Sequence, residues 1–266
     1  GKLSGKISNT DPAYTQVEGL SVAKKDVEML PRESTPLVKS REAERAAQLV
    51  NEFVRKSNSV LDRHEVNIER RHRGDLPANL ILTRDAGDSL PRIPSLSSLY
   101  GGTFGCLVEM PVERGIALLS GMREVKLPEP TGNYEHDYTL RAQIAVEAMS
   151  SGIDVLYTHI KGPDEPGHDG EPERKREVIE MIDRYFFSTL LPSVDLSKDV
   201  VAVTADHSTP CSLRAHSDDP VPLLIAGANL KADGIKHFSE RDCREGTLGT
   251  INGPELMPKL MGLRGD

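Results

Sequence analysis

The chain has 266 residues, a net charge of −8, 28% charged side chains, no tryptophan and three cysteines. That length supports one large core or two modest ones, while the acidic balance argues against nucleic acid as a partner, because recognition there needs a basic face. The density of charge leaves no stretch able to cross a membrane, and Cys106, Cys211 and Cys243 are too few and too scattered for a disulfide framework, which fits a reducing cytoplasm.

The opening Gly1 to Thr10 is polar and lacks the apolar run of a signal peptide. Arg41 to Ser59 predicts an amphipathic helix, with Ala43, Ala47, Val50 and Val54 on one stripe and Ala46, Leu49 and Phe53 beside it. The charge run Glu69-Arg70-Arg71-His72-Arg73 reads as a solvated face, or alternatively as guanidinium groups presented to a phosphate or carboxylate. Asn79 to Thr83 and Gly115 to Leu119 predict strands, separated by a Pro/Ser-rich loop from Pro91 to Ser98. A boundary falls near Pro128-Glu129-Pro130-Thr131-Gly132. Beyond it the pattern is regular: a helix over Tyr138 to Met149, a buried strand over Ile153 to Ile160 and a long helix over Pro172 to Leu191. Strands follow at Val200 to Thr204 and Val221 to Ala226, and a short helix entered through Pro254 closes the chain over Gly253 to Leu263. Helix alternating with apolar strand predicts an α/β fold with a doubly wound, mostly parallel sheet.

Two predicted strands end in Asp/His clusters. Asp164 and His168 follow the first, in a Pro/Gly-rich loop, while Asp206 and His207 follow the second, with His216 a few residues on. Each cluster alone has a bland reading: Asp206 as a cap or turn residue, Asp164 and His168 as solvated turn formers, His216 as an exposed loop histidine. Joint occurrence at two strand ends favours a metal centre, since ligands in open α/β sheets converge at the strand ends. Imidazole with carboxylate suits Mn²⁺, Zn²⁺ or Fe²⁺, and no Cys pair offers a structural zinc site. Five candidate ligands exceed one open catalytic site, so two metals are expected; about 3.5–4 Å apart, such a pair clamps both oxygens of an in-line phosphoryl displacement. His64, His72, His136, His159 and His237 lack this context and read as structural or surface residues. Cys211, close to the ligands, reads as a small loop residue.

Thr204-Ala205-Asp206-His207, Ala215-His216-Ser217-Asp218-Asp219-Pro220-Val221-Pro222 and Asp164-Glu165-Pro166-Gly167-His168 resemble the archaeal-type, cofactor-independent phosphoglycerate mutases of the alkaline phosphatase superfamily. Gly1 to Ile7, Pro77-Ala78-Asn79, Gly115-Ile116-Ala117 with Gly121-Met122, Thr131-Gly132 and Leu256-Met257-Pro258 also look like segments of that family. The resemblance implies that Asp164, His168 and His216 hold one divalent ion and that Asp206 and His207 contribute to another. Manganese is the expected metal, with zinc, cobalt or magnesium as alternatives. It further implies a catalytic domain interrupted by a smaller α/β lid, with residues 1–130 mostly lid and 131–266 the C-terminal part of the metal-binding domain.

The implied reaction interconverts 3-phosphoglycerate and 2-phosphoglycerate through a phosphoserine, without 2,3-bisphosphoglycerate. The family's N-terminal aspartate and nucleophilic serine have no counterpart here, and the chain is expected to begin mid-way through the family sequence. Arg84, where an apolar run gives way to Asp85-Ala86-Gly87, is expected to contact the anionic substrate with Arg114 or Arg123, although a surface arginine paired with Asp85 or Asp88 is an equal alternative. The alternative functions are a metal-dependent phosphatase or phosphonate-processing enzyme on the same scaffold, and a non-catalytic metal-binding protein.

Overall fold

A computed structural model describes residues 1–17, 20–24, 30–227 and 230–263. They form two compact units, Gly1–Pro91 and Arg92–Asp266. The division therefore falls before Arg92 and not at the Pro/Gly-rich stretch 128–132, because residues between the two points build strands of the second unit's sheet.

In the first unit β1 (Tyr14–Val17) and β2 (Leu20–Ala23) pair antiparallel. Helix α1 (Arg41–Leu61) starts where the Ser40 hydroxyl accepts a hydrogen bond from the Ala43 amide at 3.1 Å. Its alanine stripe packs on one apolar side chain of the opening segment: Ala43, Ala46 and Ala47 are buried against Ile7, with Val50 beside them. The predicted flank does not share this burial, for Leu49 and Phe53 are 43% and 48% exposed and border an open groove with Leu3 and Ala86. Helix α2 (Glu65–His72) follows, its first turn capped by the His64 imidazole. The adjoining charge run is spent locally, Arg71 on Asp62 at 3.0 Å and Arg73 on Asp75 at 3.1 Å. No strand forms at Asn79 to Thr83. The backbone there bonds to irregular chain and to side chains instead, with Asn58 Nδ2 donating to the Asn79 carbonyl and the Thr83 amide to Thr10 Oγ1.

The second unit opens with α3 (Leu96–Tyr100), a short helix capped by Ser95 inside the predicted loop. Strand β3 (Phe104–Leu107) is buried at every position and lies between β4 (Arg123–Glu124) and β5 (Val155–Thr158), parallel to both. Helices α4 (Pro111–Leu119) and α5 (Tyr134–Ser150) make the two crossovers. The segment Gly115 to Leu119 is therefore helix and not strand: five apolar-rich residues fit either period, and Pro111 at the first turn starts a helix. Strand β5 is only half buried, with Tyr157 43% exposed, where an enclosed strand was expected.

Helix α6 (Asp164–Asp169) precedes α7 (Pro172–Met181), which runs on through a π-helical turn at Ile182–Phe187 into α8 (Ser188–Leu190). Tyr138, Ala142 and Phe186 form the buried centre of this layer, packed by Met181 and Leu190. Strands β6 (Val200–Val203) and β7 (Leu224–Gly227) pair with each other antiparallel, so the parallel arrangement belongs to β4-β3-β5. Helices α9 (Glu240–Cys243) and α10 (Gly253–Met261) follow, the latter opened by Glu255, whose carboxylate accepts from the Asn252 amide at 2.8 Å. Among the described residues no helix is long and apolar enough to cross a membrane.

Candidate metal centre

The centre is assembled from two segments of the second unit, α6 and the long connection between β6 and β7. The stretch expected to be a loop at 164–169 is a helical turn and a half, ended by Gly170 in the left-handed region at φ 75°. A spacing of four within it puts Asp164 and His168 on one face. Their ligand atoms lie 3.5 Å apart.

The connection from residue 204 to 223 is pinned at its neck, where Thr204 Oγ1 donates to the Pro222 carbonyl at 2.9 Å and Ser208 bridges Ser217. It docks on α6 through Thr209, which is 4% exposed. That contact needs a glycine on the helix, since a Cβ at Gly167 would stand 2.6 Å from the Thr209 carbonyl oxygen. Docked this way, the connection brings His216 Nε2 to 3.5 Å from Asp164 and 3.1 Å from His168 Nε2. Candidate donor atoms of Asp164, His168 and His216 all lie within 4.8 Å of one another. The His207 ring stacks on His216 with centroids 3.6 Å apart, and His207 Nε2 is 3.3 Å from Asp206. All five residues singled out in sequence are thus neighbours.

The protonation pattern suits a cation. His168 Nδ1 faces the Arg214 carbonyl at 3.2 Å, and a carbonyl only accepts, so in the neutral ring Nε2 is left as a lone pair. Thr209 Oγ1 donates to Asp164 at 2.5 Å, which leaves its oxygen to accept from His207 Nδ1 at 3.2 Å and frees His207 Nε2 as well. Burial, together with the nearby His207, pulls the His216 imidazole below its usual range and keeps it neutral. Burial pushes the Asp164 carboxyl up, but hydrogen bonds from Lys161 and Thr209 outweigh it and hold it down at about 2. A neutral His216 imidazole beside an ionised Asp164, with His168 Nε2 facing both, is a donor set that an N,O-coordinated divalent ion fits.

Sequence reasoning passed over four residues at this place. Lys161 and Thr209 supply the two donors on Asp164, while Glu113 and His159 lie within 4.8 Å of Asp206. Thr209 sits two residues from His207, but nothing in sequence marks Glu113. The three expected substrate arginines are placed differently. The Arg84 guanidinium lies in the first unit, 3.9 Å over the Tyr14 ring. In the second unit Arg114 pairs with Glu124 at 2.7 Å and Arg123 reaches Ser151 Oγ at 3.4 Å. All three cysteines are free, Cys106 buried and Cys211 within 3.8 Å of the Pro166 carbonyl.

An α/β unit with carboxylates and imidazoles gathered beyond its strands has the build of a metal-dependent enzyme. Comparison with known proteins agrees: residues 74–262 match the family model described as the metalloenzyme superfamily, and residues 2–67 match that of 2,3-bisphosphoglycerate-independent phosphoglycerate mutase. Proteins of that second name are similar across most of the chain. The one from Aeropyrum pernix is 43% identical over 98% of this chain and 62% of its own length, and that from Methanoculleus marisnigri 35% over 98% and 59%. Among solved structures, a Pyrococcus horikoshii protein superposes with TM-score 0.70 at 35% identity, covering 84% of this chain and 58% of its own. The cofactor-independent phosphoglycerate mutase of Thermoplasma acidophilum gives TM-score 0.54 at 28% identity over 99% and 60%. The chain belongs to the metalloenzyme superfamily. It spans 59–62% of the length of these two curated relatives.

Proposed function

We propose that this chain carries the metal-binding part of a mutase that interconverts 3-phosphoglycerate and 2-phosphoglycerate without 2,3-bisphosphoglycerate, an isomerase of glycolysis and gluconeogenesis in the cytoplasm. The observation that carries this reading is the convergence of α6 and the β6–β7 connection on one cluster of five ligand-type residues in a member of the metalloenzyme superfamily. Asp164, His168 and His216 hold one divalent ion, and Asp206 with His207 contributes to a second; manganese fits the mixed nitrogen and oxygen donors. When bound, such ions neutralise charge on a transferring phosphoryl group and polarise the attacking oxygen.

The chain's own side chains prepare the place. Lys161 and Thr209 orient Asp164, the Arg214 carbonyl fixes the tautomer of His168, and Thr209 fixes that of His207. Arg84 serves in this reading as the anion contact of a lid formed by residues 1–91, because residues 104–124 share a sheet with β5, and Arg114 or Arg123 serves as an anion contact of the second unit. A clamp of this kind keeps the glycerate from leaving while it reorients, and so separates a mutase from a phosphatase.

The test uses a chain of the relatives' full length, assayed by coupling 2-phosphoglycerate formation to its dehydration. Asp164→Ala and His207→Ala are expected to abolish turnover with far-ultraviolet circular dichroism unchanged, since both residues sit outside the apolar core. Turnover equal to the parent's removes these residues from the mechanism. Release of inorganic phosphate outpacing 2-phosphoglycerate formation in the parent selects the phosphatase reading.

A further inference from the structure

We infer that Arg141 and Glu109 are positioning residues for the metal ligand Asp164, reaching it through Lys161, a deepening of the metal-centre reading on which this rests. Arg141 lies on the buried stripe of α5, which otherwise consists of Tyr138, Ala142, Ala145 and Ala148. Its side chain is only 8% exposed, and a charge buried to that degree has to be paired. One arm of the guanidinium, Nη2, pairs with Oε1 of Glu109, in the turn between β3 and α4. The other arm, Nη1, donates to the His159 carbonyl at 2.7 Å. The second Glu109 oxygen, Oε2, accepts from the Lys161 amide at 3.3 Å. The segment leaving β5 is thus gripped at its first and third residues.

Lys161 hands this grip on to Asp164 by two bonds. Its carbonyl accepts from the Asp164 amide at 3.1 Å, where α6 begins, and its ammonium donates to Asp164 Oδ2 at 2.5 Å. That oxygen is the one 3.5 Å from His168 Nε2, so a shift of Lys161 is a shift of a ligand atom. Stability does not account for the ion pair behind it. Apolar side chains of similar volume in place of a buried pair are often neutral or stabilising. Here the balance is poorer still, since Arg141 Nε is buried without a hydrogen-bond partner among the described residues. What apolar side chains cannot do is hold a carbonyl and an amide of one turn at a fixed separation. A planar guanidinium fork on a two-oxygen carboxylate does so.

The experiment uses a chain of the relatives' full length. Mn²⁺ affinity is measured by calorimetric titration, and amide hydrogen exchange over residues 159–164 on the metal-free protein. The double variant Arg141→Met, Glu109→Leu replaces the pair by apolar side chains and is expected to melt near the parent. Exchange over 159–164 should quicken while that of α5 and α7 stays as it was, and Mn²⁺ should bind about 10–100-fold more weakly, the cost of removing a partner behind a ligand. Arg141→Lys keeps the charge beside Glu109 and gives up the fork, so its affinity should fall between parent and double variant. It carries the test if the double variant does not fold, and parental exchange and affinity in it then overturn the inference. Parental affinity in the folded double variant overturns it too. So does a loss of affinity with faster exchange throughout the second unit, which a purely structural pair would give. A parent that binds no Mn²⁺ defeats the metal-centre reading and this inference with it, whereas a parent that binds, matched by its variants, defeats this inference alone.

Discussion

At the scale of single residues, Asp164 shows how neighbours decide what a side chain can do. Burial alone would favour its protonated form, yet an ammonium and a hydroxyl donate to its two oxygens and keep it ionised. Thr209 has the larger share in the arrangement, because the same oxygen that donates to Asp164 accepts from His207. Thr209→Val keeps the shape and removes both bonds. It is expected to weaken Mn²⁺ binding by about 10–100-fold, measured by calorimetric titration of the folded variant, with unchanged affinity as the result against it. The ligand types were legible in sequence because Asp and His occur together after two successive strands, where ligands of open α/β sheets converge. Glu113, His159 and the bond from Thr209 to Asp164 were not, since each depends on a contact made only when distant segments meet, and Lys161, three residues before Asp164, carries no mark of its aim.

At the scale of elements, strong periodicity told more than short runs did. The alanine stripe of α1 and the helices over 134–150 and 172–190 stood out because three or more turns of apolar spacing admit one period only. The run at residues 115–119 was too short to choose between periods, and Pro111 decided for helix. Residues 79–83 are β-like in composition but lack a neighbouring strand, so their backbone is satisfied by Thr10 and Asn58. Strand β3, buried at every position, carries a glycine and a cysteine among four residues and gave no alternation to read. The helical turn of α6 depends on tight docking. Gly167→Ala would push a methyl into the Thr209 carbonyl at 2.6 Å, which backbone can relieve only by separating α6 from the connection. The expected cost is about 1–3 kcal/mol of stability together with weaker metal uptake, read from denaturant midpoints and Mn²⁺ titration. A variant that melts and binds like the parent would show the docking to be loose.

At the scale of the molecule, every candidate metal ligand lies in Arg92–Asp266, while Arg84 lies in Gly1–Pro91. The second unit owes little of its centre to one continuous stretch of chain: His168 and His216 are 48 positions apart and meet only through the docked connection. An ion held between them would therefore act as a removable crosslink. By the chain-entropy account used for disulfides, closing a loop of that length restricts the unfolded chain by roughly 4 kcal/mol, with native strain subtracting from it. Unlike a disulfide, this tie has a strength set by concentration, and the midpoint of thermal unfolding should climb steadily with the logarithm of free Mn²⁺ above the dissociation constant. In His168→Gln the same titration should leave the midpoint nearly flat, and an equal rise in parent and variant would show that the ion ties something else. The fold of this unit is then adjustable from outside, tightened or slackened by the metal content of its surroundings before any substrate arrives.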